Sequence, residues 1–481
     1  MDAARILAKQ GARVYLVGIK GTGMAALAEL LCASGVEVSG SDRDEVFYTD
    51  AIIRELGVPF YEQFDPSHIP EKTDLVVYSA AYSPQSNVEL AEAGRRGLPL
   101  LSYPEALGAY SSLFDSSGIA GVHGKTTTTA LSGILLRAAG IPARVLAGGA
   151  AFNGRSTLCL GNKYFVAETC EYRKHFLAFH PRRIVLTGVE SDHQDYYPGY
   201  GDIRDAFVEY VEKLPAGGAL IYCADDRGAS EVAEIAGTRN GVKIIPYGFG
   251  AEGPWKIESY AVRDGRTVFR LAGVPRDFAL RLPGRHCVLD AAAALALTGL
   301  LAGEEFNESA ETFWRGEAAA AELEGFSGSK RRSEILGEAG GILFIDDYAH
   351  HPTAIKTTLE GLREFYPERR LVLSFMSHTY SRTAALLDDF ALSLAPADIV
   401  FLHKIYASAR ESNSGGISGR TLFEAAANIR GGVYYAEEPE DAVPELEKIL
   451  KPGDLFVTMG AGDNWKLGKA LLSVFAGGGR A

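Results

Sequence analysis

Cysteine is scarce in this sequence, and it never occurs in pairs. The five cysteines stand far apart without a CxxC spacing: Cys32, Cys159, Cys170, Cys223 and Cys287. The sequence therefore predicts neither a zinc site built on thiolates nor a disulfide framework. This pattern is typical of a protein of the reducing cytoplasm, and we expect a cytoplasmic location.

Positive charge and long apolar runs are also lacking. The chain has 48 Lys and Arg against 61 Asp and Glu, a net charge of −13. Non-specific nucleic-acid binding needs a positive field, so we expect no nucleic-acid partner and only local basic clusters for anionic ligands. The most apolar stretch, 288–302, is Ala-rich and contains Asp290, and the N-terminus lacks a signal-peptide layout. We therefore expect no membrane association.

The patterns that are present predict an α/β fold in three domains. A chain of 481 residues has room for about three domains of roughly 150 residues each. Strands and helices alternate within three blocks: the first (1–112), the second or central (113–326) and the third (327–481). The Ser-rich segment 111–118 reads as a linker, and 325–329 reads as a hinge. We expect a Rossmann-like first domain, a central P-loop-type ATPase domain with a mostly parallel sheet, and a Rossmann-like third domain.

The most informative segment is GVHGKTTTT at 121–129. It follows a predicted strand and opens a predicted helix, so phosphate oxygens would meet free N–H groups at a positive helix end. Lys125 would be an exposed loop residue whose positive charge contacts the phosphates, and the Thr126 hydroxyl would bind Mg²⁺. Ile119 stands where the strict P-loop spacing has glycine. The alternative is a glycine turn that caps a Thr-rich helix.

The glycine turn nearest the N-terminus, GIKGTGMAA at 18–26 (the first glycine turn), follows the first predicted strand, and Asp42 comes about 20 residues later. This arrangement favours a nucleotide pyrophosphate site and leaves the nucleotide open. The alternative is a tight strand-to-helix turn without a ligand.

Acidic and imidazole side chains follow two strands of the second block. Glu168 and Glu171 come after one strand, and Asp192 and His193 after the next. Beside the segment 121–129, the predicted phosphate loop, these groups could hold one or two Mg²⁺ ions. Each residue alone is more often a solvated charge or a structural histidine.

The third block has a similar concentration of polar residues at strand ends. Asp347, Tyr348, His350 and His351 form a loop after a strand, with Pro352 at the first position of a helix. The carboxyl ends of parallel strands are where α/β proteins bind ligands. Arg382, after the next strand, offers a two-point contact for the carboxylate of a small acid. Its alternative role is that of an ordinary residue in a first helical turn.

Taken in chain order, nine segments resemble the Mur ligases over essentially the whole chain: GIKGTGM, GSD at 40–42, GVHGKTTTT, AETCEYR, ESDH, LPGRH, KRRSE, DDYAHHP and HTYSRT. Within that family the sequence is most similar to the enzymes that join L-alanine to UDP-N-acetylmuramate. AETCEYRKHF and IYASARESN at 405–413 look like the form found in many Gram-positive bacteria. The resemblance implies a UDP-sugar domain, a central ATPase domain and a third domain that binds the amino acid and completes the ATP site. It also implies ATP and Mg²⁺ as cofactors and a monomer or weak homodimer.

The resemblance further implies roles for individual residues. The UDP-sugar would contact Gly18, Gly21, Thr22, Gly23, Met24, Ser41 and Asp42. ATP would contact Gly121, His123, Gly124, Lys125, Thr126, Thr127, His286, Asp290, Arg332 and Asp347. The metal ligands would be Thr126, Glu168 and His193, and the amino acid would contact Tyr348, His350, His378 and Arg382. Catalysis would depend mainly on Lys125, Glu168, His193 and Arg382.

Four positions depart from the usual family pattern. Gly188, Cys287 and Asp290 stand where the family usually has Asn, and Thr379 stands where Arg is commoner. Three other functions stay open from sequence. A sister ligase would add a preformed peptide to the same sugar, an NAD-dependent oxidoreductase would use the first glycine turn, and a UDP-sugar sensor would have lost turnover.

Overall fold

The computed structural model describes residues 3–238, 241–307, 309, 313–314, 316–407 and 416–477. Within these residues the strands form four sheets. Of IYASARESN at 405–413, only 405–407 lie among the described residues.

The first sheet is parallel and has the order β3-β2-β1-β4-β5. Its strands are β1 (Arg13–Val17), β2 (Glu37–Ser41), β3 (Phe60–Tyr61), β4 (Leu75–Tyr78) and β5 (Leu100–Ser102). Its helices are Ala3–Leu7, Thr22–Ala33, Thr49–Glu55, Val88–Arg95 and Tyr103–Ser111, with a 3₁₀ turn at Pro66–His68. The strand order reverses beside β1, so the first glycine turn lies at the position where such sheets bind ligands.

The central sheet has the order β12-β11-β10-β6-β9-β7-β8 and is parallel except for β8. Its strands are β6 (Asp115–Ala120), β7 (Ala143–Leu146), β8 (Thr157–Cys159), β9 (Tyr164–Glu168), β10 (Arg183–Leu186), β11 (Ala219–Cys223) and β12 (Lys243–Tyr247). An antiparallel sheet of β13 (Ile257–Arg263), β14 (Arg266–Leu271) and β15 (Asp277–Leu280) follows. The helices are Lys125–Ala138, Tyr200–Val211, Arg227–Gly237, Arg285–Phe306 and Glu317–Gly325, with a 3₁₀ segment at Tyr172–Ala178.

The predicted linker at 111–118 is wrong for most of its length. The helix Tyr103–Ser111 runs to its first residue, and β6 begins at Asp115, which leaves only 112–114 between them. The small residues serve close packing instead, since a Cβ on Gly118 would lie 2.1 Å from the Tyr210 hydroxyl oxygen. Ser116 is also buried, and its hydroxyl donates to the Ser111 carbonyl at 2.6 Å.

The third block is built on a six-stranded sheet with the order β16-β17-β21-β18-β19-β20, in which only β16 is antiparallel. Its strands are β16 (Glu334–Ala339), β17 (Ile342–Asp347), β18 (Arg370–Phe375), β19 (Ile399–Leu402), β20 (Val433–Tyr435) and β21 (Asp454–Met459). Its helices are Pro352–Phe365, Tyr380–Ala385, Leu387–Ser393, Gly419–Ile429, Val443–Ile449 and Trp465–Phe475, with a 3₁₀ turn at Pro439–Ala442.

Buried polar contacts fasten the first block to the central sheet. Glu29, on the first long helix, accepts from the Ser156 N–H at 3.1 Å and the Thr157 hydroxyl at 2.6 Å. Arg144 of β7 donates to the Ser34 hydroxyl at 2.6 Å. These contacts hold the glycine turn of the first sheet in a fixed position beside the central block.

Among the described residues, Arg285–Phe306 is long and apolar enough to span a membrane. Most of this helix is buried against the helix Lys125–Ala138 in one hydrophobic core. Its alanines allow close approach, and its first turns lie beneath the phosphate loop.

Candidate functional site

The loop 121–124 joins β6 to the helix Lys125–Ala138 at the centre of the middle sheet. Gly124 has φ +78, and a Cβ there would lie 2.4 Å from the Asp290 carboxylate, so only glycine fits. The backbone therefore runs tightly over the start of the helix Arg285–Phe306. The N–H groups of the first turn of Lys125–Ala138 have no partners within the helix, and such a helix start is able to bind an anion.

Lys125 is not the exposed loop residue that the sequence predicts. It is the first residue of its helix, and its side chain is only 13% exposed. Its Nζ contacts both carboxylate oxygens of Glu171 at 2.9 and 3.2 Å and donates to the Gly121 carbonyl at 2.5 Å. Burial acts to raise the pKa of Glu171, but Lys125 and His193 outweigh it and lower that pKa to about 2. Lys125 and Glu171 thus form a buried, fully ionised pair.

Two of the predicted metal ligands lie together. The Thr126 hydroxyl donates to Glu168 at 2.8 Å, and the Gly148 N–H donates to the same carboxylate oxygen at 2.8 Å. A hydroxyl and a carboxylate are oxygen donors of the kind Mg²⁺ prefers. The third predicted ligand, His193, contacts Glu171 instead, with its Nε2 3.3 Å from the carboxylate. The oxygen pair fits Mg²⁺, whereas Glu171 links His193 to Lys125.

Other residues predicted to contact ATP surround the same loop. His286, at the start of its helix, has a buried Nδ1 without a hydrogen-bond partner among the described residues. Burial lowers the pKa of His286, and His123 acts in the same direction, whereas the negative charge of Asp347 acts to raise that pKa. Thr127 is half-buried in the first turn, and the Arg332 guanidinium lies 5.1 Å from the Tyr348 ring centre.

Asp290 and Asp347 are both buried beside this loop. Asp347 accepts from the Ser333 N–H at 2.7 Å and the Ala349 N–H at 2.8 Å, so it shapes the loop around it. Asp290 accepts from the Thr128 hydroxyl at 3.2 Å, and burial raises its pKa to about 7. It is therefore partly protonated near neutral pH and can offer a donor and an acceptor, as the family's asparagine does.

The four residues predicted to bind the amino acid form one cluster. The His350 ring lies 5.1 Å from the Tyr348 ring and 5.7 Å from the His378 ring. Arg382 donates from a terminal nitrogen to His378 Nδ1 at 3.2 Å. Burial, Arg382 and His378 together hold the pKa of His350 well below its ordinary value, so this ring is neutral.

Arg382 is not free, because it crosses to the central block. It is 4% exposed, and its Nε and a terminal nitrogen lie 2.9 and 2.7 Å from one Asp192 oxygen. Burial acts to raise the pKa of Asp192, but Arg382 and His193 outweigh it and keep that pKa well below its ordinary value. These contacts use three of the five N–H groups of the guanidinium. The donor set keeps capacity for a substrate carboxylate.

The first glycine turn is organised by Asp42. This carboxylate is buried and accepts from the N–H groups of Lys20 at 2.7 Å and Arg43 at 2.8 Å. Its strongest contacts therefore shape the loop. Ser41 is fully buried and donates to Glu89, and Met24 is buried in the core. The side chains of Ser41 and Met24 accordingly face the interior, which speaks against direct sugar contacts by these groups.

Of the remaining residues of this turn, only Thr22 and Gly23 border an open space. Gly18 has φ +82, and the Gly21 N–H donates to the Gly18 carbonyl at 3.2 Å. Thr22 and Gly23 line a cavity of about 170 Å³ whose other wall includes Glu168, Cys170 and His175 of the central block. A Cβ on Gly23 would lie 2.6 Å from the Tyr103 ring. The cavity leads from the first glycine turn to Glu168, beside the phosphate loop.

Sequence reasoning missed the partners that these groups acquire. Glu171 pairs with Lys125 across 46 positions, Asp192 with Arg382 across 190, and Glu190 with His123 across 67. No spacing rule connects such distant positions. The available signal was the placement of all three acidic residues just after β9 and β10, the two strands on either side of β6.

Three family models match the three parts of the chain in order. The family models described as "Mur ligase family, catalytic domain", "Mur ligase middle domain" and "Mur ligase, glutamate ligase domain" match residues 13–115, 119–298 and 331–462. UDP-N-acetylmuramate--L-alanine ligase of Treponema pallidum (strain Nichols) is 52% identical over 469 residues, 97% of each chain. The chain belongs to the Mur ligase family. The protein of the same name from Borreliella burgdorferi is 37% identical to this Mur ligase over 459 residues, 94% of this chain and 97% of its own.

Solved structures of the family share the fold. A Thermotoga maritima UDP-N-acetylmuramate-alanine ligase has a TM-score of 0.76 at 23% identity, covering 97% of this chain and 99% of its own. A murein peptide ligase from Psychrobacter arcticus has a TM-score of 0.67 at 25% identity, covering 98% and 100%. The predicted three-domain α/β fold class is thereby confirmed for this Mur ligase.

Proposed function

We propose that this chain joins L-alanine to the lactyl carboxylate of UDP-N-acetylmuramate while ATP is cleaved to ADP and phosphate. The relatives that carry this name match it over nearly the whole length. The observation that carries the proposal is the convergence of three sites. The phosphate loop lies between the cavity that leads to the first glycine turn and the cluster around Arg382. Residues 1–112, 113–326 and 327–481 are the proposed domains for sugar, ATP and amino acid.

The chemistry follows from the weakness of a carboxylate as an acyl donor. Transfer of the γ-phosphoryl group to the lactyl carboxylate gives an acyl phosphate, whose phosphate is a good leaving group. The amine of L-alanine then attacks the acyl carbon and displaces phosphate. The protein's main contribution is to position the reactants and stabilise charge on the transferred group.

Lys125 is the group best placed to stabilise that charge. In this structure its ammonium is neutralised by Glu171 at 2.9 Å. Binding of ATP would bring phosphate oxygens to the same ammonium. Glu171 can retain a partner in His193, 3.3 Å away, while Lys125 turns towards the phosphates. This exchange gives Lys125 an anionic partner and leaves Glu171 a hydrogen-bond partner, as buried charged groups require.

The metal assignment depends on the oxygen donors of Thr126 and Glu168, 2.8 Å apart. Mg²⁺ held there would supply positive charge against the phosphates of ATP. Thr126 orients the carboxylate by its hydroxyl, and the Gly148 N–H fixes the same oxygen. We also propose His193 as a metal ligand, on the basis of the family resemblance alone.

The cavity beside Thr22 and Gly23 suits the sugar end of UDP-N-acetylmuramate. It begins at the helix that follows the first glycine turn, where the pyrophosphate is proposed to bind. Its far wall includes Glu168, so a lactyl carboxylate there would approach the phosphate loop. This direct route from one nucleotide site to the other favours ligation over hydride transfer to NAD.

The amino acid is proposed to bind at Tyr348, His350, His378 and Arg382. The carboxylate of L-alanine needs a cation that is always charged, and Arg382 is such a group. Its contact with Asp192 fixes the third block against the central one. The amine would thereby be held on the side of the phosphate loop that faces the third block. We also expect a cytoplasmic protein that acts as a monomer or weak homodimer.

Product formation tests the proposal. The chain should release ADP and phosphate with UDP-N-acetylmuramate and L-alanine together, and far less when either is omitted. Mass spectrometry should find the sugar nucleotide enlarged by one alanyl group. Glycine, L-serine and a peptide beginning with L-alanine complete the panel. Faster turnover with the peptide than with L-alanine would favour a sister ligase, and reduction of NAD would overturn the ligase assignment.

A further inference from the structure

Three side chains outside the proposed magnesium pair meet where the third block contacts the central one. They are His123 of the phosphate loop, Glu190 after β10 and His351 before the helix Pro352–Phe365. Their ligand atoms all lie within 4.8 Å of one another. Two imidazoles and one carboxylate form a ligand set that proteins use for Zn²⁺ and related ions.

His351 is oriented as a ligand. It is 5% exposed, and its Nε2 lies 3.2 Å from the Ser191 carbonyl oxygen. A carbonyl only accepts, so Nε2 carries the hydrogen and the neutral ring presents a lone pair at Nδ1. That Nδ1 is buried and has no hydrogen-bond partner among the described residues. Metal-binding histidines typically donate their other ring N–H to a carbonyl in this way.

Glu190 faces the same point. Its Oε2 accepts from the Thr353 hydroxyl at 2.8 Å, which leaves Oε1 towards the two histidines. Oε1 contacts His123 Nε2 and lies 3.5 Å from His351 Nδ1. Two atoms with lone pairs therefore face each other, and a cation between them would turn repulsion into attraction.

One edge of the ligand set has the spacing that a tetrahedral ion needs, and the contact between His123 and Glu190 would lengthen to admit the ion. Zinc bonds of about 2.0 to 2.1 Å place neighbouring ligand atoms about 3.4 Å apart. The separation of 3.5 Å between Glu190 and His351 matches one such edge. Three protein ligands leave a fourth position open for water or another donor.

We propose that His123, Glu190 and His351 bind a divalent transition-metal ion such as Zn²⁺ that joins the third block to the central one. The site is separate from the oxygen donors Thr126 and Glu168. Because its ligands come from two blocks, the ion holds them in contact before substrates bind.

The test uses the full chain after treatment with a chelator and dialysis, without nucleotide or sugar. Calorimetry with Zn²⁺ should show a tight site, and Co²⁺ should give the visible absorption bands of tetrahedral coordination. Both signals should disappear in His351→Ala and Glu190→Gln. The matched control is His180→Ala, an exposed histidine of the central block outside both proposed metal sites, which should keep both.

A milder variant guards against misfolding. Thr353→Val removes only the hydroxyl that orients Glu190, on an exposed helix residue, and should weaken Zn²⁺ binding about 10- to 100-fold. Thermal unfolding of each variant checks that it is folded. Absence of a tight site in the wild type, unchanged affinity in all three site variants, or an equal loss in His180→Ala would each overturn the proposal. Ligase turnover plays no part in this readout, so its failure and that of the proposed function are distinguishable.

Discussion

Replacing Asp290 by asparagine should stabilise the protein, and by more at pH 8 than at pH 5. Asp290 is 7% exposed and lies directly beneath Gly124 of the phosphate loop. Burial raises its pKa from 3.8 to about 7, although the Thr128 hydroxyl and Arg332 act in the opposite direction. Asparagine keeps the shape and the acceptor for Thr128 while removing the charge.

The sign follows from proton linkage. Because the folded state binds the Asp290 proton more tightly than the unfolded state, stability is lost as pH rises from about 4 to about 7. A shift of this size costs about 4 kcal/mol once both states are ionised, and roughly a third of that at pH 5. The advantage of asparagine should therefore grow by about 2 to 3 kcal/mol between pH 5 and pH 8.

Differential scanning calorimetry measures this growth. For a domain of roughly 200 residues it should appear as about 5 to 10 °C in unfolding temperature. Asp277→Asn is the matched control, since that carboxylate is exposed on β15 and pairs with Arg270 at the surface. Its difference from wild type should hardly change with pH. A pH-independent difference for Asp290→Asn, or a loss of stability at pH 8, would refute the reasoning.

Three further changes test the proposed sites. Lys125→Ala should lower turnover by about 10² to 10³. It should also lower the unfolding temperature, because it leaves Glu171 buried without its cation. An active variant would contradict the phosphate role, and Lys125→Arg, which keeps the charge on a different side chain, tests whether charge alone suffices. Arg382→Lys keeps the charge but loses the two-point contact, so the KM for L-alanine should rise far more than those for ATP and the sugar nucleotide; an equal rise of all three would assign Arg382 to domain contact alone. Gly23→Ala should raise the KM for UDP-N-acetylmuramate, because the added methyl group would clash with the Tyr103 ring in the cavity wall. Gly94→Ala has open space around it and should match wild type. Equal KM values for the two variants would exclude the cavity as the sugar site.

The local parts of the fold were predictable from sequence. β1 ends just before the first glycine turn, and the helix Lys125–Ala138 begins within GVHGKTTTT, both as predicted. Apolar periodicity and glycine punctuation indicate such elements because they are properties of neighbouring residues. The segment 111–118 shows where this fails. Serine and glycine are typical of linkers, but here their small size lets β6 pack against Tyr210. Composition alone does not separate the two cases.

The candidate site was predictable in its membership and not in its contacts. The family resemblance grouped Thr126 with Glu168, and His350 with His378 and Arg382, and the structure brings each group together. The partners of Lys125 and Arg382 come from distant parts of the chain. Which acidic residue meets which cation depends on how the sheets lie against each other, and no local pattern encodes that.

The most direct test of the account follows oxygen atoms through the reaction. UDP-N-acetylmuramate labelled with ¹⁸O in its lactyl carboxylate is incubated with ATP, Mg²⁺, L-alanine and the full chain. The account predicts that a labelled oxygen passes into the released phosphate for each alanine joined, because that oxygen bridges the acyl phosphate. Joining of alanine with unlabelled phosphate, or with release of AMP and pyrophosphate, would contradict it.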